Sequence, residues 1–140
     1  MKFISKALTI SLLSASLAIS GCGNIFTDEK QKQTVRIIYK HSDGNIFEES
    51  EVVVYRKDSS WIAQLKANGK VSKEVMLEEG YVPIIPLFVQ ELEALPKEKK
   101  CSIVDSYVVY IDGRVIRRVD GTCEWNGFLH LKYAFFEESK

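Results

Sequence analysis

Cys101-Ser102-Ile103-Val104-Asp105-Ser106-Tyr107-Val108-Val109-Tyr110-Ile111-Asp112-Gly113-Arg114-Val115-Ile116-Arg117-Arg118-Val119-Asp120-Gly121-Thr122-Cys123 is the stretch on which the fold turns. β-branched and aromatic residues run up to Asp112-Gly113 and away again, so it reads as a hairpin. A plain two-residue turn would set Asp105 opposite Asp120, a like-charge pair, and Cys101 opposite Glu124. A three-residue loop Ile111-Asp112-Gly113, with Gly113 left-handed in a bulge, instead pairs Tyr110 with Arg114. Asp105 then faces Val119 and Cys101 lands opposite Cys123. Opposed residues of a non-hydrogen-bonded pair lie ~4.5 Å apart at Cα, inside the disulfide range. This register predicts a Cys101–Cys123 bridge across the hairpin, contributing about 3 kcal/mol by loop closure. A redox pair would call for Cys-x-x-Cys or a helix start to lower a thiol pKa, and the sequence has neither.

The same register assigns two faces. Cys101, Ile103, Tyr107, Val109, Val115, Val119 and Cys123 form the expected core face. Tyr110 beside Arg114 and Ser106 beside Arg118, with Val108 and Ile116 between, form the other. Aromatic and Arg side chains flanking apolar ones are the composition of protein-binding hot spots, so Tyr110, Arg114, Arg118, Val108 and Ile116 are the candidate binding face. The alternative is that the helix or the first sheet packs over them.

Upstream, Val35, Ile37 and Tyr39 alternate with Arg36, Ile38 and Lys40, a period of two. Ser42-Asp43-Gly44-Asn45 turns the chain, and Glu51-Val52-Val53-Val54-Tyr55-Arg56 is a second strand. Trp61, Ala63 and Leu65 alternate along a third, and Asn68-Gly69 starts a tight hairpin returning through Val71 to Leu77. That turn predicts Ile62 opposite Val75 and Trp61 opposite Met76. Pro83 and Pro86 then exclude a central strand. Pro86 suits a first helical turn, Phe88, Leu92 and Leu95 follow at helical spacing, and Pro96 stops it. Downstream, Asn126-Gly127 reads as a turn and Leu129, Leu131, Tyr133 and Phe135 as an alternating last strand. The expectation is a single small α+β domain over residues 34–140: mostly antiparallel sheet, one short helix and a disulfide-bridged hairpin.

The chain of 140 residues carries 19 Lys plus Arg against 19 Asp plus Glu. That length allows one domain, and the even balance argues against a nucleic-acid binder, which needs excess cations to displace counterions. No phosphate loop, zinc-protease helix, nucleophile elbow or dinucleotide fingerprint occurs after the leader. His41-Ser42-Asp43 holds the residue types of a hydrolase triad, but neighbours at a turn cannot aim at one another, so it reads as a turn with an exposed His. His130 reads as a solvated strand residue. Two His, with two Cys assigned to each other, leave too few ligands for a tetrahedral metal site, and neither metal nor cofactor is expected.

The first residues set the compartment. Lys2 and Lys6 precede an uncharged run from Ala7 to Ile19, which as helix rises about 20 Å, too short for a bilayer that needs ~20 apolar residues. It ends Ile19-Ser20-Gly21-Cys22, which resembles the lipobox of bacterial lipoproteins: branched apolar, small, small, Cys. The resemblance covers residues 1–22 only. It implies that residues 1–21 are a signal peptide, that the Cys22 thiol takes a diacylglyceryl group, and that the freed amine takes a further chain of palmitate type. At ~0.8 kcal/mol per buried methylene, several chains anchor stably where one would be marginal. Gly23 rather than Asp after the Cys leans toward the outer membrane, facing the periplasm. Residues 22–33 then form the lipidated end and a polar tether whose last ten residues reach at most ~35 Å.

Compartment, size and absence of a catalytic motif together lead to a non-enzymatic, lipid-anchored envelope module that binds another protein, as an inhibitor, immunity or exclusion factor. The alternatives are an assembly lipoprotein of an envelope complex and, third, a small envelope hydrolase.

Overall fold

Alternating apolar and polar residues build the first half of the domain as a meander. A computed structural model describes residues 34–98 and 101–138. The expected signal peptide, Cys22 and the expected tether lie outside the described residues. Strands β1 (Val35–Ser42), β2 (Phe47–Lys57), β3 (Ser60–Ala67) and β4 (Lys70–Leu77) are followed by helix α1 (Ile84–Glu93). Strands β5 (Val104–Ile111) and β6 (Arg114–Asp120) come next, then helix α2 (Gly127–Tyr133) and a π-helical turn, Ala134–Glu138. One six-stranded sheet results, in the order β4-β3-β2-β1-β5-β6. All five pairings are antiparallel. This is a small α+β domain.

The core lies on one face of the sheet. Val35, Ile37, Val52, Val54, Ala63, Leu77, Tyr107, Val109 and Ile116 meet Ile85, Phe88, Val89 and Leu92 of α1 and Phe128, Leu131, Phe135 and Phe136 of the C-terminal segment. Fully burying such a side chain contributes roughly 1.5–3 kcal/mol. A helix as short as α1 is marginal alone, so this burial is what holds it.

Three expectations are corrected. The first concerns residues 127–138, which are helical rather than a last strand. Two apolar patterns overlap there: Leu129, Leu131, Tyr133 and Phe135 alternate, while Phe128, Leu131 and Phe135 recur at helical spacing. The sheet face needs a cover, and only the helical set is buried; Leu129 and Tyr133 are 62% and 56% exposed. Asn126-Gly127 starts this helix instead of a hairpin.

The second is the β5–β6 register. Asp112 (φ 50°) and Gly113 (φ 72°) are both left-handed. That is the two-residue turn whose twist matches the flanking strands, and it pairs Ile111 with Arg114 and Asp105 with Asp120. The two carboxylates tolerate each other because each takes its own donors. Asp105 Oδ1 accepts from the Tyr39 hydroxyl (3.1 Å) and lies 2.6 Å from His41 Nδ1. Asp120 Oδ1 accepts from the Thr122 amide (2.9 Å) and hydroxyl (2.6 Å), and its Oδ2 from the Trp125 amide (3.2 Å). Cys101 and Cys123 stand as a disulfide pair with Cα atoms 6.3 Å apart. They lie beyond the strand ends, where Cys123, at φ 59°, turns back toward Cys101, not opposite one another within the ladder.

The third is local to β3–β4. Next to the Asn68-Gly69 turn the expected register holds, with Lys66 opposite Val71. A bulge between Leu65 and Lys66 then shifts the rest by one, so Trp61 faces Leu77 and Ile62 faces Met76. Ser72 is the extra residue, its hydroxyl donating to the Leu65 carbonyl at 3.1 Å.

Candidate functional site

A one-residue change of register moves every side chain to the other face of its strand. The five residues of the expected binding face therefore divide. Tyr110 and Val108 pair with Val115 and Arg117 on the face that carries no helix among the described residues. Arg114, Ile116 and Arg118 stand on the helix side. There Ile116 is buried, and Arg114 Nη1 approaches Glu93 at the end of α1 (3.7 Å). Val115 and Val119, assigned to the core from sequence, are instead 51% and 49% exposed on the open face.

That open face mixes charge and apolar surface. The Arg36 guanidinium lies 5.2 Å from the Tyr110 ring centroid, and its Nε donates to Glu51 at 2.7 Å. Lys40 pairs with Glu49 at 3.5 Å. Phe47 and Met76 are exposed toward its far corners.

On the helix side, β1 and β5 bring three polar groups together. His41 is the cross-strand partner of Asp105, and Tyr39, two residues back, lies on the same face beside Tyr107. The hydrogen bond to Asp105 raises the His41 pKa, desolvation opposes it, and the charges of Asp105, Asp43 and Glu48 add to the rise. Burial first, then the charge and hydrogen bond of Asp105, push the Tyr39 hydroxyl up to about 12. Burial likewise raises Tyr107. Both phenols therefore stay protonated near neutrality, as donors.

Beside this cluster is a cavity of about 260 Å³ lined by Tyr39, Asp105, Tyr107, Trp125, Phe128 and Lys132 among others. Tyr39 stacks on Phe128 (centroids 4.8 Å) and meets Tyr107 at 5.3 Å, while Trp125 stands edge-on to Tyr107 at 5.0 Å. Three things fix the indole: its backbone amide on Asp120, its Nε1 donating to Glu91 (3.3 Å), and Gly127, where an added Cβ would sit inside the ring. Sequence reasoning missed this constellation. Its one signal was an acid, Asp105, inside an otherwise apolar strand run.

Asp43 makes the turn anticipated for His41-Ser42-Asp43. Its Oδ1 accepts from the amides of Asn45 (3.0 Å) and Ile46 (2.8 Å), which hold its carboxyl below the usual range. His130 is exposed, on α2 rather than a strand. Among the described residues no group of three or more His, Cys, Asp and Glu is placed to hold a metal, and no helix is long and apolar enough to cross a membrane. Comparison with family models, curated proteins and solved structures finds no match for the chain.

Proposed function

We propose that the chain is a lipid-anchored envelope protein, tethered through Cys22, whose domain binds another protein through the helix-free face of its sheet. One observation carries the reading. Among the described residues the helices pack on one side, while the other side carries Val115, Val119, Met76 and Phe47, each about half exposed or more, around the Arg36–Tyr110 contact. Six strands about eight residues long at ~4.8 Å spacing present roughly 24 Å by 26 Å, or about 600 Å². A standard interface takes about 800 Å² per partner, so the face with its rim is of the right size. Binding here is steric and pre-organised: the sheet does not reorder, and the lipid raises the local concentration at the membrane.

The test has two arms. Mass spectrometry of membrane-extracted protein should find Cys22 as the acylated amino terminus; an unmodified Cys22 overturns the anchor. A photo-crosslinking amino acid at Val115 or Val119 should yield one discrete protein adduct in cells, absent when it is placed at Tyr133 on the helix side. Equal labelling from both sides, or none from the sheet, overturns the docking face. The identity of the adduct separates an inhibitor or immunity factor from an assembly component.

A further inference from the structure

We propose that the aromatic cavity between β1, β5 and α2 binds a small organic ammonium ion, with Asp105 as its counter-charge. The inference is independent of the open sheet face, which lies on the opposite side.

Size comes first. At about 260 Å³ the cavity falls just below the ~300–1,000 Å³ of sites for drug-sized ligands, so its occupant is a small headgroup. The lining decides the charge. Tyr39, Tyr107, Trp125 and Phe128 line it from two strands and the C-terminal segment. Aromatic quadrupoles attract a diffuse cation within ~6 Å of the ring.

Asp105 supplies the second, separate argument. Both of its hydrogen-bond partners among the described residues, Tyr39 and His41, are on Oδ1. Oδ2 has none, and no polar side-chain atom among the described residues is buried without a partner, so Oδ2 keeps access to solvent on a residue that lines the cavity. A neutral apolar occupant would strip water from that oxygen and give nothing back. An anion would meet Asp105, with Asp120 directly across the strand pair. A bare divalent metal lacks a ligand set among the described residues. A substituted ammonium satisfies rings and carboxylate at once. Lys132 also lines the cavity, so an ammonium that carries its own carboxylate gains a second contact.

Glycine betaine, choline and the neutral isostere 3,3-dimethylbutanol are the probes, titrated against the full chain by tryptophan fluorescence and by NMR shifts of the aromatic resonances. Choline and betaine should bind saturably and perturb Trp125. The isostere, identical in shape without the charge, should bind about tenfold more weakly or worse. Asp105→Asn should weaken both cations by a similar factor, and Lys132→Gln should weaken betaine while choline, which Lys132 only repels, binds at least as well. Equal binding of choline and its isostere to the wild-type chain overturns the proposal, because the cavity is then merely apolar. So does the absence of any saturable shift with either cation. The isostere comparison uses the wild-type chain alone, so it holds even if Asp105→Asn fails to fold.

Discussion

Replacing Asp120 by Ala discriminates sharply between the observed β5–β6 register and the one that charge repulsion suggests. The Asp120 side chain is 1% exposed and accepts three hydrogen bonds, two of them from backbone amides. Removing the carboxylate leaves the Thr122 and Trp125 amides without their acceptor, at about 1–3 kcal/mol each. Relief of the opposed Asp105 returns at most ~1 kcal/mol, and water reaching the partly buried loop lowers the loss further. The expected cost is about 2–4 kcal/mol, a large part of the ~5–15 kcal/mol of a domain this size. Urea unfolding measures it: with m of ~2 kcal/mol/M the midpoint should fall by about 1–2 M at constant m. Near-ultraviolet circular dichroism should also change, because Trp125 loses its backbone anchor. In the alternative register Asp120 points to the open face, where replacement costs no more than about 0.5 kcal/mol. A loss that small would falsify the two-residue turn and the anchoring role together.

The C-terminal helix makes a second test. Phe135→Ala and Leu131→Ala should cost about 3–5 and 2–5 kcal/mol, while Leu129→Ala and Tyr133→Ala stay within about 0.5 kcal/mol by thermal or urea unfolding; four comparable losses would restore the alternating strand. The His41–Asp105 contact predicts a pH signature. His41 is raised in the folded state, so its contribution is fully present below the unfolded value of about 6.5 and is lost as pH rises through the folded value. Asp105, Asp43 and Glu48 all hold it in that direction, and the Tyr39 hydroxyl stays neutral throughout. The stability gap between wild type and His41→Gln should be at most about 1 kcal/mol at acidic pH, given solvent screening, and should shrink with rising pH; a gap that widens contradicts the pairing. Replacing Cys101 and Cys123 together by Ser should cost about 3 kcal/mol for a separation of 22 residues, read as a lower urea midpoint; an unchanged midpoint argues against the bridge.

Much of the fold was legible because local and global preferences agree. Asn68-Gly69 specified its hairpin, Pro86 falls in the first turn of α1 and Pro96 beyond its end, period-two alternation marked β1 and β3, and a β-branched run marked β2. Apart from the local bulge at Ser72, the failures share one cause: a deciding partner was remote in sequence. The like-charge objection to pairing Asp105 with Asp120 was sound for an isolated hairpin. It was answered by Tyr39 and His41, some 65 residues upstream, and by the Thr122 loop. The C-terminal segment carried both periods, and only the uncovered sheet face selected one. The aromatic cavity was invisible for the same reason, since its walls come from β1, β5 and the 125–132 segment, which no short-range spacing connects.

The bulge at Ser72 has a bearing on how copies of this protein coexist. β4 ends the sheet, so its outer hydrogen-bonding groups could template the edge of a neighbouring molecule. The bulge breaks that row into two short runs out of step with each other, and Lys70, Lys73 and Glu74 stud it with charge. A flat partner strand could engage only a few residues before losing alignment. The kink is thus a built-in guard against zipping into fibrils along that edge.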